Sequence, residues 1–329
     1  SQKEVYEVVS IFIGGGTPSV LSGEQLCRIM DEIKQAFILS EDAEITMEAN
    51  PGTVSPEQLK LCHEAGINRI SFGLQSTVQQ ELDMLGRIHT YEEFLQSYHW
   101  ARKAGFSNIN VDLMFAIPGQ TCENWKHNLE TIAELSPEHI SAYSLIIEEG
   151  TPFAQKKLIL PTEDEEYQMY EDTAEILRKY GFHQYEISNY ARDGFECRHN
   201  KGYWQRTEYL GAGLGAASLF QGKRFSNTRD MQTYLADSTE PEKIREDVTA
   251  LSRNNEIEEF MFLGLRMTEG ISERQFERNF GCRIEDIYGS VLAKYKEMDL
   301  LEHTGEFWRF TRKGIHVSNP VLADFLLDE

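Results

Sequence analysis

Short runs of β-branched and aromatic residues recur through the first half of the chain as VVSIFI, AEITMEA, RISFGLQ, NINVDLMF and HISAYSLI. Each gives way to glycine, proline or polar residues and then to a helix-like stretch, the alternation that predicts parallel βα units. Two of the runs are announced by the same device, because HEAGINRI and RKAGFSNI each end a helix at a glycine, Gly66 and Gly105, and pass straight into a strand. Evenly spaced βα units without a dominant hairpin signal predict a TIM-like barrel that is incomplete at its start, with a doubly wound sheet as the alternative. After Pro161 the pattern changes, with Thr162 placed to cap a helix and Glu165 to close the capping box. A further strand, HQYEISNYA, leads into the loop DGFECRHNKGYWQRTEY and the small-residue segment YLGAGLGAASLF, and the charged stretch 237–247 reads as a linker or exposed helix. The chain closes with EEFMFLGLRM, SERQFERNFG and IEDIYGSVLAKYKEMDLLEH as three helices, then a WRFT strand and a last helix, which predicts a C-terminal α+β module of winged-helix type. The resulting division is 1–160, 161–245 and 246–329.

Composition narrows the partners. The chain has 329 residues and a formal charge of −22, which repels a phosphate backbone, so nucleic acid is not expected. The last of the three C-terminal helices carries Glu285, Asp286, Glu297, Asp299 and Glu302 against Arg283, Lys294 and Lys296, a poor surface for reading DNA. No apolar run approaches the roughly 20 residues of a membrane span. The opening SQKEVYEVVS lacks the basic and apolar segments of a signal peptide, so a cytoplasmic location is expected. Cys27, Cys62, Cys122, Cys197 and Cys282 are scattered without a CxxC pair and read as reduced structural thiols. A chain that starts with Ser1 and enters a buried strand within a few residues is expected to lack a preceding piece.

Ligands of parallel barrels sit at the carboxyl ends of the strands, and the residues delivered there are unusually polar. The first strand ends in Gly14, Gly15, Gly16, Thr17 and Pro18, where backbone N–H groups approach a ligand closely. This is neither a Rossmann nor a P-loop fingerprint, since the GxGxxG spacing fails at Ser19 and no Gly-Lys-Ser/Thr follows. The next strands deliver Glu48, suited to the two hydroxyls of a ribose, then Gln75 and Asp112, while Arg87 in LGRIHT suits a carboxylate. Each alone is as well explained by a satisfied structural polar group. Successive strands all ending in such groups favour a polar adenosyl or nucleotide ligand, because unpaired buried polar groups are costly.

The segments IFIGGGTPS, EANPG, NRISFGLQS, LGRIHT and DLMFAIPGQT, in this order and at these intervals, resemble the radical-SAM proteins related to oxygen-independent coproporphyrinogen III dehydrogenase. The resemblance runs from about Val8 to the end of the chain. It implies an α/β fold, a (β/α)6 radical-SAM barrel whose first strand is not in the chain, followed by the winged-helix-like domain. It further implies S-adenosyl-L-methionine (SAM) as a cofactor, with Gly15, Gly16 and Thr17 at its methionine end and Glu48 on its ribose. Gln75, Arg87 and Asp112 match the remaining polar contacts. In that family a preceding strand carries CxxxCxxC, which binds a 4Fe–4S cluster. The cysteines of this chain lie at least 35 positions apart, so they form no such triad, and the cluster ligands are expected upstream of Ser1, the alternative being a degenerate relative without them. As it stands the chain is not expected to cleave SAM.

A second site lies in CRHNKGYW, residues 197–204, whose HNxxYW resembles the haem-binding motif of the HemW haem-chaperone branch. The resemblance implies haem as a ligand, with His199 as the iron ligand and Asn200, Tyr203 and Trp204 beside it. An exposed neutral imidazole suits iron, the aromatic rings suit a porphyrin, and Arg198 or Arg206 suits the propionates. Cys197 is a weaker candidate ligand, and the alternative is a loop whose His and aromatics only pack the barrel edge. Ala217 stands where many members have histidine. The reading is therefore a SAM- and haem-binding protein that passes haem to an acceptor protein. The alternatives are coproporphyrinogen III dehydrogenase, which HNxxYW disfavours, and an unrelated TIM-barrel enzyme acting on a phosphorylated substrate.

Overall fold

A computed structural model describes residues 6–151 and 153–327. Residues 1–5, part of the opening from which a leaderless start is expected, and residues 328–329 of the last segment lie outside the described residues. The chain forms two compact units, 1–199 and 200–329.

The first unit is built on strands β1 (Glu7–Ile13), β2 (Ile38–Ala49), β3 (Arg69–Gln75), β4 (Ile109–Phe115) and β5 (His139–Ser144). They pair in chain order and in parallel. A doubly wound sheet reverses its strand order at a switch point, and this sheet does not. It is a curled, open half-barrel of the radical-SAM kind, in agreement with the incomplete barrel expected. Helices α1 (Gly23–Ala36), α2 (Pro56–Glu64), α3 (Gln79–Met84), α4 (Tyr91–Ala104), α5 (Cys122–Glu134) and α6 (Glu163–Lys179) complete the βα units. Their starts are written locally: Ser22 with Gln25, Ser55 with Gln58, Thr90 with Glu93, and Thr162 with Glu165 all close capping boxes. Gly105 ends α4 at a φ of 107°, a left-handed cap that a side chain would strain.

Within β2 to β5 the residues alternate strictly. Ile45, Met47, Ile70, Phe72, Val111, Leu113 and Ile140 form one face and pack on Leu26, Met30, Leu59, Phe94, Trp125 and Leu129 of the helices. Trp125 is fully buried and donates its indole N–H to Met169 O and Thr173 Oγ1, both at 2.9 Å. The opposite face, which lines the half-barrel, carries Glu44, Thr46, Glu48, Arg69, Ser71, Gln75, Asn110, Asp112, His139, Ser141 and Tyr143. Parallel strands buried on both sides usually read as continuous apolar runs. A polar lining on one face is what a ligand-binding interior requires.

HQYEISNYA, expected as one strand, is two: β6 (His183–Gln184) and β7 (Asn189–Ala191), both antiparallel additions beyond β5. The break follows from Glu186, a buried residue whose carboxylate accepts the Ser188 N–H at 3.0 Å and the Asn189 side chain, holding the intervening residues in a turn.

Helix α7 (Arg198–Trp204) runs across the division between the units. In the second unit β8 (Ala217–Phe220), β9 (Lys223–Asn227) and β10 (Arg245–Ala250) form an antiparallel sheet. Stretch 237–247, read as linker or helix, contributes the end of α8 (Met231–Asp237), all of α9 (Pro241–Ile244) and the start of β10. The C-terminal module then follows the winged-helix order: α10 (Arg253–Gly264), β11 (Ile271–Ser272), α11 (Glu273–Phe280), α12 (Ile284–Glu297), β12 (Leu301–Thr304) and β13 (Phe307–Phe310). LLEH, expected to continue α12, instead forms β12, because Asp299 turns the chain at a φ of 57° and Leu301 to Thr304 pair with β13. The short helices α13 (Arg312–His316) and α14 (Ser318–Ala323) close over a core of Phe260, Phe276, Tyr288, Leu292, Trp308 and Phe325.

Candidate functional site

The carboxyl ends of β1 to β5 gather the first set of predicted residues. Gly15, at a φ of +80°, turns its N–H onto Glu48 Oε2 at 3.2 Å. A Cβ on Gly14 would lie 2.8 Å from the Phe12 ring and 2.9 Å from the Glu48 carboxyl, whereas a Cβ on Gly15 or Gly16 would meet nothing within 4 Å. The turn is therefore closed toward the strand and open toward a ligand. Thr17 Oγ1 accepts from the Asn50 amide at 3.0 Å.

Asp112 is held by Asn110 Nδ2 at 2.8 Å and Ser71 Oγ at 3.3 Å. Burial pushes its carboxyl above the usual range, and hydrogen bonds from Asn110, Ser141 and Ser71 and the Arg69 charge pull it back. Burial and the negative charge of Asp112 likewise raise Glu48, against the Gly15 hydrogen bond. Gln75, at a φ of 74° that a non-glycine residue rarely adopts, accepts the Tyr143 hydroxyl on Oε1 at 2.9 Å. Burial holds the Tyr143 hydroxyl protonated, with Asp112 and Glu48 adding to the effect and Arg87 opposing it, so all three charges are felt at one phenol. Arg87 follows the left-handed Gly86 at the end of α3 and has no carboxylate partner among the described residues.

Four of the residues that line this end were not singled out in the sequence. Asn50 and Ser71 sit inside strand-like text, and Tyr143 reads as a core aromatic. Arg69 is 2% exposed; its Nη1 donates to Thr46 Oγ1 at 3.5 Å, and its Nε has no partner among the described residues.

His199 lies elsewhere. Its Nδ1 is 3.1 Å from Ser10 Oγ, and its ring stacks on Phe12 with centroids 5.0 Å apart. The imidazole expected at the surface is half-buried. Burial lowers its pKa, Glu44 raises it and Arg69 lowers it further, a net shift that favours the neutral ring. The Cys197 thiol and the Arg198 and His199 N–H groups all reach Glu44. Glu44 and Glu48 share one face of β2 four residues apart, about 13 Å of strand, so the structure does not bring the histidine into the strand-end cluster.

Further along α7, Asn200 is half-buried and Tyr203 is 39% exposed, its ring edge-on to Tyr209 at 4.7 Å. Trp204 lies under the Arg266 guanidinium at 5.3 Å, and its enclosed Nε1 has no hydrogen-bond partner among the described residues. With Arg206, Phe260, Met267, Arg274 and Arg278 it lines a cavity of about 390 Å³. The two arginines suggested for propionates are already paired, Arg198 with Asp42 at 2.9 Å and Arg206 with Glu259 at 3.0 Å. Ala217 opens β8 with its side chain exposed. Among the described residues no three His, Cys, Asp or Glu side chains gather as for a metal ion, and none of the cysteines takes part in a disulfide. Nor is any described helix long and apolar enough to cross a membrane.

Residues 2–132 match the Radical SAM superfamily and residues 251–317 the HemN C-terminal domain. The haem chaperone HemW of Lactococcus lactis is 40% identical over 330 aligned positions, covering 99% of this chain and 86% of that protein. HemW of Bacillus subtilis is 39% identical over 97% of this chain and 86% of its own length, and HemW of Escherichia coli 34% over 98% and 85%. Among solved structures, the coproporphyrinogen III oxidase HemN of Escherichia coli, a radical SAM enzyme, superposes with a TM-score of 0.85 over 97% of this chain and 78% of its own, at 23% identity. At that identity the likeness concerns the fold.

Proposed function

We propose that this protein carries haem to acceptor proteins, from the premise that the chain belongs to the HemW haem-chaperone family of radical-SAM proteins. The observation that carries the reading is His199, a neutral imidazole at the head of α7 whose ring is fixed by Ser10 and Phe12. A neutral imidazole is a suitable ligand for haem iron. Asn200, Tyr203 and Trp204 follow on the same helix, and the exposed Tyr203 ring offers a flat apolar surface to the cargo. Reversible binding through one helix, with no covalent step, suits a protein whose task is to hand its cargo on.

The family implies SAM and a 4Fe–4S cluster, which together supply one-electron chemistry when bound. The open turn at Gly15 and Gly16, with a carboxylate directly beneath it, fits the methionine end and ribose of SAM. On this reading Thr17, Gln75, Arg87 and Asp112 complete the contacts, and Tyr143 keeps the Gln75 amide turned by donating to its oxygen. The described residues gather no cysteine triad, so no step here passes through the cluster. Five cysteines outside any disulfide suit a reducing compartment, which supports a cytoplasmic location.

Titration of ferric haem into the purified protein is expected to give a shifted Soret band in the wild type. His199→Ala is expected to lose that shift while keeping the wild-type melting temperature. An unchanged Soret band in the variant sinks the chaperone reading through His199. Anaerobic decarboxylation of coproporphyrinogen by cluster-loaded protein would replace it with the dehydrogenase.

A further inference from the structure

Helix α7 is a poor helix by itself. It has seven residues, includes Gly202 and Asn200, and is preceded by Cys197, whose thiol is a weak cap. Isolated helices of this length do not persist in water. Its first N–H groups have no intrahelical partner and must be satisfied from outside.

The satisfying group comes from the other end of the sequence. Glu44 on β2 is 8% exposed, and its two carboxylate oxygens accept from three consecutive residues: the Cys197 thiol at 3.3 Å, the Arg198 N–H at 2.9 Å and the His199 N–H at 3.1 Å. A negative charge at a helix N-terminus is also favoured by the helix dipole. Two positions earlier on the strand, Asp42 takes the Arg198 side chain twice, through its carbonyl oxygen at 3.0 Å and its carboxylate at 2.9 Å.

The ring is fixed from the neighbouring strand. Ser10 pairs with Glu44 in the β1–β2 register, so the residue that holds the His199 ring and the residue that holds its backbone sit side by side. Ser10 Oγ lies 3.1 Å from Nδ1, and Phe12, two residues on, stacks on the ring. Nothing local to HNxxYW could supply these contacts.

We infer that Glu44 is the positioning residue of the histidine motif: it caps α7 from β2 and, with Ser10, fixes the orientation of His199. The inference rests on the haem reading for its purpose, and on the converging hydrogen bonds for its substance. A substitution at Glu44 leaves every haem-contact side chain in place and removes only what aims them.

The experiment compares wild type with Glu44→Ala, Glu44→Gln, Ser10→Ala and His199→Ala, using amide hydrogen exchange over residues 198–204 of the apo protein and the Soret and ferric EPR spectra with haem. Glu44→Ala is expected to lose exchange protection over that segment, to weaken haem binding about tenfold and to change the ferric spectrum. Glu44→Gln, which still offers an accepting oxygen, is expected to recover part of each and serves alone if the alanine variant does not fold. Ser10→Ala is expected to change the spectrum and leave the exchange pattern intact. Wild-type protection and a wild-type spectrum in Glu44→Ala, or in Glu44→Gln where it stands alone, overturn the inference. A wild-type spectrum in His199→Ala overturns the haem reading instead, whatever Glu44 does to exchange.

Discussion

The strand-end cluster and the histidine helix are built in opposite ways. In the cluster, Glu48, Asp112 and Tyr143 stand on rigid neighbouring strands whose register puts their side chains on one face, and Gln75 joins them past a register shift, at a left-handed φ. In the helix, local propensity is weak, and position comes from contacts between residues more than 150 apart in sequence. Preorganisation on strands costs little once the sheet forms, and it suits a cofactor that must be held in one pose. A short helix pinned at its start by the carboxylates of Glu44 and Asp42 is easier to loosen, which suits cargo that must leave. The two regions still share a wall: the Phe12 ring stacks on His199 on one side and on the other fills the space a Gly14 side chain would need.

The largest effect is expected where the cluster is most preorganised. Glu48→Ala removes a charged acceptor from the proposed ribose contact, worth roughly 1.5–3 kcal/mol, or about 10- to 150-fold in SAM affinity by equilibrium dialysis on cluster-loaded protein. Unchanged affinity would remove Glu48 from the site. The same carboxyl makes a second test through stability. Its pKa is raised in the folded state, first by burial and then by Asp112, so its contribution to stability is present below the ordinary glutamate range and is lost as pH rises through the raised value. Glu48→Gln should therefore melt higher than wild type at pH 7, and the gap should close as pH falls below about 4. A gap that persists at low pH would point to packing as its cause.

Next in size is Gly14→Ala. Its Cβ would press on the Phe12 ring and the Glu48 carboxyl, and Phe12 yields only by disturbing its stack on His199. Overpacking of this kind costs about 1–3 kcal/mol, read as a lowered denaturation midpoint. Both SAM affinity and the haem Soret band should change together. A loss confined to SAM would show that the two regions do not communicate through Phe12.

How legible each region is in the sequence follows from the same contrast. Gly15, Glu48, Gln75 and Asp112 stand out because a period-two pattern, apolar on one side and polar on the other, survives in short text such as AEITMEA and NINVDLMF. Glu44 sits in that same text, two polar positions before Glu48 in the alternation, yet its role is invisible there because its partners are Cys197, Arg198 and His199. Tyr143 hides for another reason, since an aromatic in a strand is usually core, and only the Gln75 contact shows otherwise. LLEH reads as helix by composition, and its pairing with β13 is a long-range fact that overrides propensity. The single strand expected over HQYEISNYA fails because the Glu186 turn is made by side-chain hydrogen bonds that hydrophobic patterning does not register.

The smallest effect tests the far end of the histidine helix. Around Trp204 the cavity arginines are unequal: Arg206 is matched by Glu259 at 3.0 Å and Arg274 by Glu306 at 2.9 Å, while Arg278 has no carboxylate partner among the described residues. A porphyrin propionate reaching this cavity would meet Arg278 without displacing an existing pair. Arg278 is exposed, so its contribution is that of a surface ion pair, about 0.2–1 kcal/mol or up to roughly fivefold in haem affinity, and it should fade with added salt. Arg274→Ala, by contrast, frees Glu306 and should act on the wing, lowering the melting temperature more than the haem affinity. Haem titrations of Arg278→Ala at low and high salt separate the cases. A salt-dependent loss places the Trp204 end of the motif against haem, and equal affinity at both salts confines recognition to the His199 end, where Glu44 and Ser10 already fix the geometry.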